Sequence, residues 1–545
     1  MRTKRFNLAL IVGFLFIGVL HFSSVNNELN GLGGDNAGYV LLAKSLASFE
    51  GYRDFSPGNP PNIHWHPAFA VLLTPFVWLF GVNFTVFHII VVLTELAALI
   101  LIFFLFKRQE GEATAVFCCV LFALNPFVNL SLVRILTEFP CLMLTAAALL
   151  VAEKDKSEKD STIQYIWLPL LVTGVYLFRK AGLSFLMAYT LYYLYRKQFK
   201  RLIWNAPILF IPYVLWMIRS RLSGKPDSYI VTLWLKNYRD PALGNVTFLE
   251  LIERIRTNIL NTADGIADFV LPISNDHSPY LLLAICVLII LGFIWRAINK
   301  KIGLMEFYVM IYLMVLFIWP VYEPRKLMPV IPFLYLYLFL GINWMIKLIL
   351  FRKESGRVWA EGEQRILRTP VAARVLGILL IGMQVLPTMD LLKIRSKPIY
   401  LPQPNDPQYK EFTIDWSHYR ETFYWMKTGS LNNLRLWADY FFISHLAGTI
   451  TPPGSVIIAR KRTLTALYSG RPATGYPFYK DFDKQRKNII ENNVDYILLD
   501  GFFRDTYKYL VPYIQAHPDG FRIAARRGNA YLLKVFKDRL LIKKE

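Results

Sequence analysis

The residue best placed to do chemistry is Asp35, a carboxylate in the segment Gly33-Gly34-Asp35-Asn36-Ala37-Gly38-Tyr39. It follows the first long apolar stretch, Phe6 to Phe22, so it stands just outside a membrane span. An acid there could take a proton from a hydroxyl at the lipid surface. It could equally cap the short helix that follows, because Asp after a Gly-Gly turn is a favoured N-cap. That helix is expected over Ala37 to Phe49, with Tyr39, Leu42, Leu46 and Phe49 on one face suited to lying along a membrane. Tyr39 is either site support or a membrane anchor. His64 and His66, two apart before Pro67, could hold a phosphate or a divalent metal. No third metal ligand accompanies them, and interfacial residues in a turn is the plainer reading. Asp54 is the reserve acid.

Cations supply the second half of a possible site. Arg134 and Glu138 are four apart, which suits either a helix-end ion pair or a phosphate site. Arg179 and Lys180 share a tight turn between two short apolar segments, where snorkelling to water is the bland alternative. Arg325-Lys326-Leu327-Met328-Pro329 follows Tyr322-Glu323-Pro324 and opens another apolar segment. Cations are disfavoured by the dipole at a helix start, and anions are favoured there, so a bound phosphate is expected, although Glu323 could satisfy Arg325 locally.

The elements that must position these groups are membrane spans. The 545 residues are 54% hydrophobic and only 18% charged, with a mean hydropathy of +0.35. Apolar blocks of about 20 residues are the length of a membrane crossing. Spans are expected near 6–22, 84–106, 113–132, 136–152, 163–178, 182–195, 202–220, 280–295, 304–320, 327–350 and 371–391, about 11 in all. The run from Pro67 to Phe80 is shorter and reads as re-entrant or interfacial. With the N-terminus cytoplasmic, every second loop is basic, including Arg196 to Arg201 and Arg296 to Lys301, as the positive-inside rule requires. The net charge of +22 is thereby explained without nucleic acid, for which no motif is present. All the candidate residues then fall on the other side. That side also receives a first loop (23–83), a second large loop (221–279) and the polar tail. The four cysteines, Cys118, Cys119, Cys141 and Cys286, lie in apolar segments and suggest neither disulfides nor zinc.

The expected fold is thus a polytopic α-helical membrane protein in two parts. Residues 1–391 form a transmembrane domain and 392–545 an extracytoplasmic α/β domain. In the latter, Ser455 to Ala459, Tyr496 to Leu499 and Tyr531 to Phe536 read as strands. Tyr419 to Met426 and Phe482 to Asn492 read as helices, and Pro398 to Pro407 as the linker.

The order of these motifs resembles the GT-C superfamily of membrane glycosyltransferases, in its bacterial branch similar to protein O-mannosyltransferases and aminoarabinose transferases. Asp35 with Tyr39 four residues on, His66-Pro67, Arg134 to Glu138 (RILTE) and Arg325 to Pro329 (RKLMP) match its motifs in order along nearly the whole chain. Tyr238 to Gly244, Ser469-Gly470-Arg471 and Tyr476-Pro477 resemble one bacterial subgroup. The chain departs from the pattern at Asn36, where the family often has a second acid. The resemblance implies an inverting transfer of a hexose or pentose from a polyprenyl-phosphate sugar to an extracytoplasmic glycan, lipid or protein. It implies a place in the bacterial inner membrane and Asp35 as the catalytic base. Tyr39, His64, His66 and Glu138 would support the site. Arg325, Lys326, Arg179, Lys180 and Arg134, in that order, would hold the phosphate.

This chemistry suits a single acid. A lipid phosphate is already a good leaving group, whereas glycoside cleavage usually needs two carboxylates. An acceptor that is itself a phosphate would need no strong base, and Asp35 would then only orient it. Two other functions compete: a lipid-linked saccharide ligase or polymerase, and a transporter or flippase. The transporter reading is weakened by the lack of matched repeats and of a relay of mid-span carboxylates. Metal dependence stays open.

Overall fold

The computed structural model describes residues 2–27, 29, 34–153, 163–223, 228–238, 240–272, 277–299, 301–350, 371–395 and 431–541. The expected linker at Pro398 to Pro407 and helix at Tyr419 to Met426 lie outside these residues. Helices stand at every position where a span was expected. They are α1 (Arg2–Phe22), α4 (Phe84–Glu110), α5 (Glu112–Ala123) with α6 (Pro126–Leu132), α7 (Glu138–Glu153), α8 (Leu168–Phe178), α9 (Leu183–Tyr195) and α10 (Phe199–Leu222), followed by α13 (Pro279–Ile298), α14 (Leu304–Ile318), α15 (Ile331–Leu350) and Val371–Arg395. Between them lie α2 (Asp35–Ala47) and α3 (Pro67–Phe80) in the first loop, and α11 (Ser228–Trp234) and α12 (Phe248–Val270) in the second large loop.

Among the described residues, five helices are long and apolar enough to cross a membrane: Phe84–Glu110, Phe199–Leu222, Pro279–Ile298, Ile331–Ile349 and Val375–Leu392. The α5 and α6 pair makes a sixth if its halves, bent by 60°, form one span. In α1 the apolar stretch is only Ile11–Phe22, and other expected spans are shorter helices; α7 has 16 residues and α9 has 13. The chain is an integral membrane protein, but length and composition alone do not give eleven crossings.

Two devices hold the bundle without exposing polar groups to lipid. The first is the break between α5 and α6. Pro126 cannot continue the ladder of α5, and Asn125 caps α6 through Phe127 N and Val128 N. The Asn125 amide also donates to Phe269 O at 2.8 Å and Gln384 Oε1 at 2.9 Å, tying α12 and the 371–395 helix to the break. The second is a buried ion cluster. Arg296, 2% exposed, bonds Glu110 Oε1 at 2.5 Å and Glu306 Oε1 at 2.7 Å, joining α4, α13 and α14. Buried charges persist only when paired in this way. Where α13 meets α15 the backbones touch, and a Cβ on Gly292 would land on the Tyr337 carbonyl.

The C-terminal unit carries a five-stranded sheet in the order β2-β1-β3-β5-β4. Strands β1 (Ile457–Ala459), β3 (Tyr496–Leu499) and β5 (Ala530–Val535) stand where strands were expected, and a helix spans Phe482–Glu491. Strands β2 (Ala473–Thr474) and β4 (Phe521–Arg527) and the helix Leu431–Ile450 have no counterpart in the sequence reading. The edge strand β4 is largely exposed, and its run Phe521 to Arg527 (FRIAARR) lacks the apolar–polar alternation that marks a strand. The sheet is mixed: β1 runs parallel to β2 and β3, while β5 is antiparallel to β3 and β4.

Candidate active site

The first loop builds the site from backbone geometry outward. Gly34 takes a left-handed conformation (φ 92°) and is the N-cap of α2, with no side-chain cap. Asp35 is therefore not the cap; it opens the first turn of α2, and its side chain is directed elsewhere. The helix does not lie out on a surface as expected. Ala37, Val40, Leu42 and Ala43 are fully buried, and Gly38 packs under Trp65 so closely that a Cβ would sit 2.8 Å from the indole. Phe49, expected on the same face, is exposed and stacks on Trp78 at 5.6 Å.

Asp35 Oδ2 accepts a hydrogen bond from Arg325 Nη2 at 2.9 Å across 290 residues of sequence. Arg325 is a hub. Its Nε donates to Glu323 Oε2 at 2.7 Å, and its Nη1 lies 4.0 Å from Glu138 Oε1. Glu138 in turn pairs with Arg179 Nη1 at 2.7 Å and is 5% exposed. A recess lined by Ser131, Arg134, Leu136, Glu138, Phe139 and Arg325 opens beside this chain of charges. Into it comes Arg134, whose Nε is buried without a hydrogen-bond partner. Of the two readings of Arg134 and Glu138, the helix-end pair is not made; α7 begins only at Glu138, and Arg179 takes the carboxylate.

Lys326 sits next to Arg325 and donates to Val321 O at 2.7 Å. Both belong to a 3₁₀ turn, Pro324–Leu327, and α15 starts at Ile331. These cations therefore do not open a long helix; the turn gathers them. Arg179 ends α8 and Lys180 opens the short turn after it, reaching Ile63 O at 3.4 Å.

Burial pushes the Asp35 carboxyl up, but the charge and hydrogen bond of Arg325, with Lys461 beyond, outweigh it and hold the group below the usual carboxylate range. Burial pulls Lys326 down to about 8, aided by Arg325 and Arg179 and opposed by Glu323. Burial and the Arg325 charge likewise bring Arg134 down to about 10. His64 is drawn down to about 4 by burial and is neutral at physiological pH.

Not every candidate joins the site. His64 is presented by a turn in which Asn62 Oδ1 accepts from His64 N and Trp65 N, and it faces the charge of Asp35. His66 turns the other way. Its ring lies 4.5 Å from Tyr176 and 4.8 Å from Trp216, and Nδ1 bonds Tyr176 O at 2.6 Å. Tyr39 is buried between Trp65 and Phe69. Both residues shape the loop and do not meet Asp35. The reserve acid Asp54 is taken by Arg462 at 3.4 Å. Among the described residues, no group of three or more His, Cys, Asp or Glu stands together to hold a metal ion.

Two neighbours of Asp35 and His64 were not anticipated: Lys461 and Arg462 of the C-terminal unit. The triplet Arg460-Lys461-Arg462, in a tail otherwise read as the far side of the membrane, was the available signal.

A helical membrane bundle with an acid-and-guanidinium site at its first loop defines a class. The chain has the GT-C fold of membrane glycosyltransferases, the superfamily its motifs resemble. Residues 60–220 match the family model described as dolichyl-phosphate-mannose-protein mannosyltransferase. The structure is similar to ArnT from Cupriavidus metallidurans bound to undecaprenyl phosphate, at a TM-score of 0.52 and 13% identity, covering 96% of this chain and 98% of that one. It is also similar to the archaeal oligosaccharyltransferase AglB from Archaeoglobus fulgidus in complex with an inhibitory peptide and a dolichol-phosphate. There the TM-score is 0.51 and the identity 13%, covering 91% of this chain and 69% of that one. No curated protein matches at the level of sequence.

Proposed function

We propose that this protein is an inverting glycosyltransferase. It would move a sugar from a polyprenyl-phosphate donor to an acceptor hydroxyl on the outer face of a bacterial inner membrane. The observation that supports this most is the Asp35–Arg325 contact, set beside a recess containing Arg134. It joins a base for an acceptor to cations for a leaving phosphate. The lipid phosphates bound to the two similar structures point to the same donor class.

In this reading the acceptor oxygen attacks the anomeric carbon opposite the phosphate. Its proton passes to Asp35, and the electron pair of the breaking C–O bond stays on the phosphate oxygen. Charge growing on that oxygen is stabilised by Arg325 and Arg134, with Lys326 and Arg179 close by. Arg325 has a second task. While it binds Asp35 it keeps the carboxylate a weak base. A phosphate competes with Asp35 for the guanidinium, so drawing Arg325 toward the donor restores basicity where the proton is taken. Asn36 beside Asp35 leaves the base without a second acid. Replacing Asp35 by Ala or Asn while following transfer and folding tests the proposal.

A further inference from the structure

Three acids surround the Arg325 guanidinium, each at a different nitrogen. Nε donates to Glu323 Oε2 at 2.7 Å, Nη2 donates to Asp35 Oδ2 at 2.9 Å, and Nη1 stands 4.0 Å from Glu138 Oε1, beyond a hydrogen bond. Asp35 and Glu138 come from distant parts of the chain, whereas Glu323 is local and held by the backbone. A proline next in sequence disfavours a helical conformation, so Glu323 is extended (φ −147°, ψ 125°), and the 3₁₀ turn Pro324–Leu327 folds Arg325 back over it. The turn does not need the Glu323 side chain. Tyr312 Oη donates to Lys326 O at 2.7 Å, Lys326 Nζ donates to Val321 O at 2.7 Å, and Asn258 Nδ2 donates to Phe317 O at 2.9 Å and Trp319 O at 2.7 Å. Tyr322 sets its hydroxyl over Gly265, where a Cβ would clash with it. Nor is the Glu323–Arg325 pair a source of stability, because both side chains are part-exposed and such pairs add little. What the Glu323 carboxylate does is occupy one edge of a guanidinium.

A guanidinium grips a phosphate through one of two forks: Nε with Nη2 along its side, or Nη1 with Nη2 at its end. Glu323 fills the Nε half of the side fork, and Asp35 is left with a single bond to Nη2. Nη1 remains for the recess that Arg325 and Arg134 both line. A phosphate arriving there takes the end fork, and the bond it displaces is the one to Asp35. We propose that Glu323 is a positioning residue: by holding Nε it directs the donor phosphate to the end fork of Arg325, so that donor binding releases Asp35. This rests on the transferase reading above. Glu323 takes no proton and acts only through Arg325. Without it, Asp35 would close on Nε and Nη2 together, a bidentate pair that a phosphate displaces less readily, and the base would stay locked.

The full-length protein is purified and its affinity for undecaprenyl phosphate measured, alongside its melting temperature. In parallel, the host lacking this gene is complemented with each variant and its envelope glycans are weighed by mass spectrometry. Glu323→Ala should leave melting unchanged and undecaprenyl phosphate affinity within about threefold, yet lower the glycan product by about tenfold or more, the scale of one charge-assisted contact. Glu323→Gln, which still offers Nε an acceptor, should restore most of the product. Where the Ala protein does not accumulate, Glu323→Ser, too short to reach Nε, takes its place. Combined with Asp35→Ala, which removes the acid that would close on the vacated edge, Glu323→Ala should raise undecaprenyl phosphate affinity several-fold over Asp35→Ala alone, because both forks are then open. No rise in that pair overturns the assignment of the edge. Wild-type product from Glu323→Ala overturns the proposal, and so does a loss of undecaprenyl phosphate binding in step with product, because Glu323 would then merely hold Arg325 in place. A wild-type protein that binds no undecaprenyl phosphate sinks the transferase reading itself and carries this one with it, a result distinct from the others.

Discussion

Asp35→Asn separates chemistry from architecture at this site. Asn keeps a carbonyl oxygen that can accept from Arg325, and it occupies the same volume, so what it loses is the ability to take a proton. A positioned general base contributes about 10²–10⁴-fold in rate, or about 2.7–5.4 kcal/mol of barrier. The fold should lose little. The contact to Arg325 is charge-assisted and would be worth about 1.5–3 kcal/mol if dry. Asp35 is 34% exposed and Arg325 25%, so solvent reduces this to about 1 kcal/mol, and relief from burying a carboxylate offsets part of that. The melting temperature should therefore move by no more than about 3 °C. Arg325 would also be freed of a competing carboxylate, so affinity for undecaprenyl phosphate should hold or rise several-fold. The assays are glycan mass spectrometry in the complemented deletion host and undecaprenyl phosphate binding by the purified protein. Wild-type transfer by the Asn variant would refute Asp35 as the base. Weakened phosphate binding would refute the competition for Arg325.

Other consequences can be measured on the same footing. Lys326 is lowered from the ordinary lysine range to about 8, so its ammonium is charged below that pH and neutral above it. Undecaprenyl phosphate affinity should fall as pH rises through about 8, and Lys326→Arg should abolish that limb in a pH titration of binding. Arg134→Met removes a guanidinium whose Nε lacks a partner, so stability should hold or increase while phosphate affinity falls by about tenfold or more. Equal affinity would remove Arg134 from the donor site. Gly292→Ala drives a methyl group into the Tyr337 carbonyl and should cost about 1–3 kcal/mol or more, read as a lower melting temperature or poor insertion.

The helices were legible because membrane spans announce themselves by length and apolarity, and a helix stands at each expected position. Asp35, Arg325, Arg134, Arg179 and Glu138 were legible as odd charges beside apolar runs, and the structure gathers them. Their pairing was not legible. Arg134 and Glu138 look like partners at helical spacing, but a helix that starts at Glu138 leaves Arg134 outside the ladder. His66 and Tyr39 look like site residues beside a proline and an acid, yet both are large rings that the loop needs for packing. Lys461 and Arg462 were missed for a simpler reason. Their relation to Asp35 exists only after some 400 residues of chain have folded back, and no local pattern encodes it.

That folding back has a consequence in time. Arg462 meets Ser56 across 406 positions of sequence. At synthesis rates of about 5–20 residues per second, the loop bearing Asp35 waits on the order of 20–80 s for Arg462. The acid is thus among the first functional groups to leave the ribosome, and its setting is among the last to be finished. A chain truncated before Arg462 would insert its helices and yet leave the loop unclamped. In the proposed transferase such a product would lack the finished site, because the residue that begins it cannot complete it alone.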